Sequence, residues 1–289
     1  MGSKVIVTGA TGMLGRDICL AFSGTNEVIS ERVDITDREA FLEYARSHAP
    51  NAIINTAAIA DVDRCEREPA EAFRVNAEGA KNVADAASAA GAILVHISTD
   101  YVFDGEKAGD RAYTEEDRTA PLSVYGKSKL AAEGYVISAG CAYAIIRSSW
   151  MFGAGGRNFV DSVIEAAQKC GKVRAIQEKY GGPTYTADLA EAIRALSAKM
   201  AAGAAKPGIY NISNAGVCSR YQFAKEILEF CGLSAEVVPI TAKDAGGPAI
   251  RPRMTELDNL KIEGVLGYRL RHYKEAFKEY IIRKRGNKV

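Results

Sequence analysis

Tyr125 and Lys129 stand four residues apart in the run Tyr125-Gly126-Lys127-Ser128-Lys129. On a helix that spacing puts a phenol and an ammonium on one face, a turn apart. A free tyrosine titrates near pH ~10, too high for ready acid–base work at neutrality. A neighbouring lysine ammonium and an oxidised nicotinamide both favour the phenolate and bring that value down. Matched in this way, Tyr125 can protonate the oxyanion formed as hydride reaches a carbonyl, while Lys129 also reaches the nicotinamide ribose. Thr99 closes an apolar run and begins Thr99-Asp100-Tyr101, so its hydroxyl is placed to bind the same carbonyl oxygen. A lone Tyr-x-x-x-Lys is usually a solvated helix pair, and the elements around this one give it weight.

Gly9-x-x-Gly12-x-x-Gly15 directly follows a β-branched run and opens a helical pattern. A loop of this kind turns sharply, and a Cβ at Gly9 or Gly12 would keep a pyrophosphate away from the amides of the helix N-terminus. The expected cradle is Gly9, Thr11, Gly12, Met13, Leu14 and Gly15. The second strand ends Ser30-Glu31-Arg32. Glu31 suits a ribose hydroxyl and so NADH, whereas Arg32 suits a 2′-phosphate and so NADPH. The two signals compete, and the cofactor stays open between NADPH and NADH.

Residues 4–8, 27–30, 52–55, 92–97 and 143–147 read as strands, separated by helical patterns at 38–47, 69–90 and 123–138. Regular alternation of strand and helix implies a parallel sheet with right-handed crossovers. The expected fold class is α/β, a Rossmann-like doubly wound parallel sheet with a smaller mixed α/β substrate-binding domain. Residues 1–150 form the NAD(P)-binding Rossmann domain, with 183–206 returning to it. Residues 151–182 and 207–289 form the substrate-binding domain. After Trp150 glycine and proline cluster, and the surest helices are 187–201 and 221–231. There is no internal repeat and no low-complexity tract.

Across 289 residues, 37 basic side chains balance 36 acidic ones, which gives no general attraction to nucleic acid or an anionic membrane. The longest apolar runs, such as residues 91–97, are strand-sized and too short for a membrane span. The chain enters its first strand pattern right after Met1-Gly2-Ser3 without a signal-peptide pattern. Its six cysteines are scattered without a C-x-x-C and read as reduced thiols, so cytoplasm is expected.

The order Gly9-x-x-Gly12-x-x-Gly15, Asn55-Thr56-Ala57-Ala58, Ser98-Thr99-Asp100-Tyr101-Val102-Phe103 and Tyr125-x-x-x-Lys129 resembles the extended short-chain dehydrogenase/reductase superfamily. Within it the chain is similar to the dTDP-4-dehydrorhamnose reductase family. Asp61-Val62-Asp63-x-x-Glu66, Arg147-Ser148-Ser149-Trp150, Gly181-Gly182-Pro183-Thr184 and Arg251-Pro252-x-x-Thr255-x-Leu257 carry the narrower likeness, which spans the whole chain. The resemblance implies NAD(P)H-dependent reduction of the C4 keto group of a dTDP-4-keto-6-deoxy-L-hexose. Tyr125 would be the proton donor, Lys129 its partner and Thr99 the carbonyl anchor. Gly12, Met13 and Leu14 would lie along the pyrophosphate, Asp34 and Ile35 beside the adenine, and Ala57, Ala58 and Ile59 beside the ribose. Asp100 and Trp150 would line the sugar pocket, with Arg251 near the nucleotide diphosphate.

Departures from the family pattern are informative. Some members are described as metal-bridged dimers held by acidic residues. Asp17 matches the first acidic position and Ala187 falls on the second, where it cannot ligate, so no metal is expected and a monomer is favoured over a dimer. A dehydratase would resemble Thr-Asp-Glu where this chain has Thr99-Asp100-Tyr101. A combined epimerase–reductase would need a further acid–base pair, and His272 lies too near the C-terminal helix to supply it. A non-catalytic cofactor-binding regulatory subunit is the reading of a different class, against which intact Thr99, Tyr125 and Lys129 argue.

Overall fold

The computed structural model describes residues 3–107 and 111–286. Met1 and Gly2, on which the start of the chain was read, lie outside the described residues. Six strands make the main sheet: β1 (Ser3–Thr8), β2 (Asn26–Ile29), β3 (Ala52–Asn55), β4 (Ile93–Thr99), β5 (Tyr143–Ser148) and β6 (Gly208–Asn211). They run in the order β6-β5-β4-β3-β1-β2, and every pairing is parallel. Helices cover both faces, which is why the inner strands are near-continuous apolar runs instead of alternating ones. Val5 and Val7 pack into one core with Ile18, Leu189 and Ile193, while Ile6 packs into the other with Phe41 and Val83. The α/β doubly wound expectation is met. The strand order reverses between β1 and β3, and at such a reversal the loops splay apart and leave a crevice.

Two features differ from the reading of the sequence. The expected single helix over 69–90 is broken into Pro69–Phe73, a π turn at Arg74–Glu78, and Gly79–Ala90. The wide turn swings Asn76 inward, where its side chain accepts from Ile59 N at 2.7 Å and donates to Ser128 Oγ at 3.0 Å. A π turn carries a residue that a regular α pattern cannot place, so periodicity alone does not reveal it. Second, residues 208–211, grouped in the sequence with the substrate-binding part, extend the main sheet by pairing with β5.

The remaining half is a separate core of stacked aromatic rings. Phe152 lies against Tyr185, Phe223 and Tyr280, with helices Phe159–Cys170, Arg220–Cys231 and Tyr273–Gly286 around it. Helix Thr186–Ala201 instead buries Leu189, Ile193 and Leu196 in the core of the main sheet. No described helix is long and apolar enough to cross a membrane.

Candidate active site

At the crevice between β1 and β3 a cavity of about 670 Å³ is lined by Thr8 to Gly12, Ser30 to Ile35 and Thr56 to Ala58. Of the expected cofactor residues, Gly9, Thr11, Gly12, Arg32, Asp34, Ile35, Ala57 and Ala58 form its wall. The three glycines do different work. Gly9 has φ +65°, and a Cβ there would sit 2.7 Å from Thr56 Oγ1 and 2.8 Å from Ala57 N. A Cβ on Gly15 would collide with the Gly9 carbonyl. Both are therefore required by the chain's own packing. At Gly12 a Cβ would meet only Gly9 O, at 3.2 Å, so the open side belongs to Gly12 alone. Gly9 nevertheless borders the cavity alongside Gly12. Gly12 caps helix Met13–Ser23 without any side-chain hydrogen bond, so the first-turn N–H groups remain available to an anion. Leu14 turns its side chain into the core, and Met13 and Gly15 sit in the same turn. Ile59 is fixed outside the cavity wall by Asn76.

Asp34 accepts from Thr36 N and Thr36 Oγ1, bonds that hold its carboxyl below the usual range. Arg74 donates to the same Thr36 hydroxyl at 2.6 Å, which brings a second guanidinium near exposed Arg32 at this end of the cavity.

A second cavity of about 840 Å³ is walled by Tyr101, Trp150, Arg220, Lys179, Arg251 and Thr255, among others. Trp150 has φ +41° and presses its ring against Gly181, where a Cβ would come within 2.6 Å of the indole. The Arg220 guanidinium lies 3.6 Å from the centre of the Trp150 ring and 4.6 Å from that of Phe159. Arg251 pairs with Asp63 at 2.7 Å, an interaction that lowers the Asp63 carboxyl, and the Tyr101 phenol also engages Arg251. Lys179 donates to the Arg251 carbonyl. Asp100, expected to line this pocket, is only 2% exposed. It accepts from Thr255 Oγ1 at 2.5 Å and Thr99 Oγ1 at 3.0 Å. Its carboxyl is pushed up to about 6, chiefly by burial, and it reaches the cavity only through the residues it holds.

Tyr125 and Lys129 lie on one helix, Tyr125 beside Tyr101 in the wall of the larger cavity and Lys129 linked through His96 and Asn55 to Ala57 in the wall of the smaller one. Ser123 caps helix Val124–Ser138 through Gly126 N, and Glu66 accepts from Val124 N at 2.7 Å. Gly126 lies so close to the Tyr101 carbonyl that a side chain would collide with it. On the sugar side the Tyr125 ring meets Tyr101 edge-on at 5.9 Å. The Thr99 hydroxyl is a hydrogen-bond partner of the Tyr125 phenol, and burial raises the phenol so that it holds its proton. On the other side Lys129 Nζ lies 3.2 Å from His96 Nε2, and burial brings the lysine down to about 8. Beneath both, Ser98 and Arg147 bind Glu133, whose ion pair with Arg147 is almost fully buried.

Of the expected catalytic residues the structure pairs Thr99 with Tyr125 and places Lys129 on the same helix against His96; the sequence reading missed Tyr101, Lys179 and Arg220. These three come from separate loops and elements, and no local spacing links them. It also named Asp61, Asp63 and Glu66 without giving them roles. Asp61 caps helix Val62–Arg67, Asp63 holds Arg251 and Glu66 anchors the Tyr125 helix. Asp17, weighed as a metal ligand, accepts a hydrogen bond from Thr186. Among the described residues no group of three His, Cys, Asp or Glu is arranged to hold a metal.

A doubly wound parallel sheet with a glycine-bordered crevice, Thr99 at the end of β4 and Tyr125 and Lys129 on the helix that follows, is the arrangement of a short-chain reductase. The chain belongs to the RmlD substrate-binding domain family, whose model matches residues 3–285. It is 38% identical over 283 residues to the spore coat polysaccharide biosynthesis protein SpsK of Bacillus subtilis, covering 96% of this chain and 97% of that one. It is also 38% identical over 281 residues to a dTDP-4-dehydrorhamnose reductase of Streptomyces griseus, covering 95% and 91%. The crystal structure of a dTDP-4-dehydrorhamnose reductase from Bacillus anthracis in complex with NADP superposes with TM-score 0.92 at 32% identity, covering 98% of this chain and all of that one.

Proposed function

We propose that the protein is an NAD(P)H-dependent oxidoreductase that reduces dTDP-4-dehydro-L-rhamnose to dTDP-L-rhamnose, in the supply of deoxysugar precursors. The observation that carries the reading is the pairing of the Thr99 hydroxyl with the Tyr125 phenol, whose ring packs edge-on against Tyr101 in the wall of the arginine-lined cavity.

The crevice fits a dinucleotide: uncapped helix amides beside Gly12 suit a pyrophosphate, and Arg32 and Asp34 lie at the adenosine end. A bound NADPH or NADH supplies the hydride. Thr99 and Tyr125 hold the sugar C4 oxygen by two hydrogen bonds, and Tyr125 delivers its phenol proton to that oxygen once a nearby positive charge has offset the burial that raises it. Lys129 holds the ribose and restores the charge balance around the phenolate. Arg220, Arg251 and Lys179 supply positive charge for the diphosphate, while Trp150 and Thr255 shape the sugar end and Asp100 orients Thr99 and Thr255.

Residues 1–150 and 183–206 serve the cofactor, and 151–182 and 207–289 serve the sugar, apart from the edge strand β6. Asp17 already bonds within its own chain, which favours a monomer, and six unpaired thiols suit the cytoplasm.

Oxidation of NADPH and of NADH by dTDP-4-dehydro-L-rhamnose, followed by the absorbance of the reduced nicotinamide, tests the reading beside Tyr125→Phe. The variant should bind cofactor as the parent does and lose roughly 10²–10⁴-fold in turnover. Full turnover in the variant would reject the assignment.

A further inference from the structure

His96 is a fully buried histidine at the centre of the main sheet, and the reductase chemistry leaves it without a role. It belongs to a line of side chains that crosses three strands. Thr8 Oγ1 on β1 lies 2.6 Å from Asn55 Oδ1 on β3, Asn55 Nδ2 lies 3.2 Å from His96 Nδ1 on β4, and His96 Nε2 lies 3.2 Å from Lys129 Nζ. The polarity of the line is fixed at one end. Ala57 N, a group that can only donate, points at Asn55 Oδ1 at 3.3 Å. The Asn55 amide nitrogen therefore faces His96, so His96 Nδ1 must accept and the ring proton resides on Nε2. An Nε2–H aimed at Lys129 Nζ finds an acceptor only in the neutral amine, because an ammonium has donors alone.

We propose that His96 is a positioning residue that sets the protonation of Lys129. Held by Thr8 and Asn55 as the Nε2–H tautomer, it donates to the lysine and stabilises the neutral amine, so that Lys129 exchanges its proton within the working pH range. Of the groups facing Lys129, Glu133 favours the charged form, and burial outweighs it. Tyr125 and Glu133 share its helix, and Glu133 is already bound to Arg147 on β5 and Ser98 on β4. Cys65, on helix Val62–Arg67, faces Tyr125. Burial lowers both groups, the lysine to about 8 and the imidazole well below its ordinary value, so the ring stays neutral. The link between Ala57 and Lys129 also ties the wall of the cofactor crevice to the acid–base pair.

The inference rests on the reductase reading for its purpose, but its central claim can be read without substrate or cofactor. Long-range ¹⁵N–¹H correlation of the whole protein at a pH above the Lys129 value reports the two ring nitrogens of each histidine. With only three histidines in the chain, the His96 signals are those lost in His96→Gln. The expected result is a protonated Nε2 and a bare Nδ1, and a protonated Nδ1 would overturn the proposal. In His96→Gln a free amide can turn its carbonyl toward Nζ, so the basic limb of the kcat profile should rise by about one pH unit. Lower turnover with an unmoved limb would leave His96 a packing role only and would also overturn it. If the parent protein fails to reduce the sugar, the reductase reading fails while the tautomer still decides this one.

Discussion

The carboxylate of Glu66 accepts from the backbone N–H of Val124 at 2.7 Å, fastening helix Val62–Arg67 to the first turn of the helix that carries Tyr125 and Lys129. A negative charge at a helix N-terminus is stabilising, and here it also fixes where the helix begins. Glu66→Ala should cost about 1–3 kcal/mol of stability and lower kcat more than it changes cofactor affinity, whereas Glu66→Gln keeps an acceptor and should recover most of both. Thermal unfolding and steady-state kinetics on the two variants check this.

Gly12 and Gly15 should separate in experiment. Gly12→Ala meets only one atom within reach and should fold normally, while binding NADPH roughly tenfold or more weakly by crowding charge-assisted hydrogen bonds. Gly15→Ala drives a methyl into the Gly9 carbonyl and should lose about 1–3 kcal/mol or more of stability. Cofactor titration and denaturant unfolding distinguish the two.

Arg220 lies over Trp150 at the wall of the larger cavity. Arg220→Met keeps much of the apolar stack and removes the charge. The sugar-nucleotide KM should rise about 10- to 100-fold, the worth of one hydrogen bond to a charged group. The dissociation constant of NADPH alone should stay unchanged.

Lys129 holds a charge in a place that disfavours it. Its folded value of about 8 lies below the ordinary lysine value of 10.5. The unfolded chain therefore binds this proton first as pH falls through the window between them, and stability drops as pH falls from 10.5 to 8. Below 8 the penalty is complete, with an upper bound of about 3–4 kcal/mol at 1.4 kcal/mol per pH unit. Lys129→Met should accordingly melt higher than the parent at pH 7, with the gap closing toward pH 10.5, although its turnover is lost. Melting curves across that range decide it.

Much of the cofactor half was legible because its signals are local. Gly9, Gly12 and Gly15 sit in one turn, Tyr125 and Lys129 on one helical face, and Val5 to Val7 and Ile53 to Ile54 read as buried strand without help from the fold. The sugar half depends on contacts between distant segments. Arg220 stands just before the helix read at 221–231 and carries no signal until the chain brings it onto Trp150, and residues 208–211 read only as part of the substrate-binding stretch until they reach the edge beside β5. His96 lies within the run 92–97, which reads only as an apolar strand. Its meaning depends on Asn55 and Lys129, which other elements bring to it.

The π turn at Arg74–Glu78 acts as a phase shifter within an otherwise regular coil. Its extra residue turns everything after it by roughly 100° relative to an uninterrupted helix. That rotation lets one segment point Asn76 toward the Ile59 loop and Ser128 and still bury Val83, Ala84 and Ala87 against the sheet. A deletion of one residue there would restore perfect helical hydrogen bonding but leave the segment out of step with one of its two partners. The local irregularity is thus what keeps the cofactor loop and the catalytic helix in register with the same core.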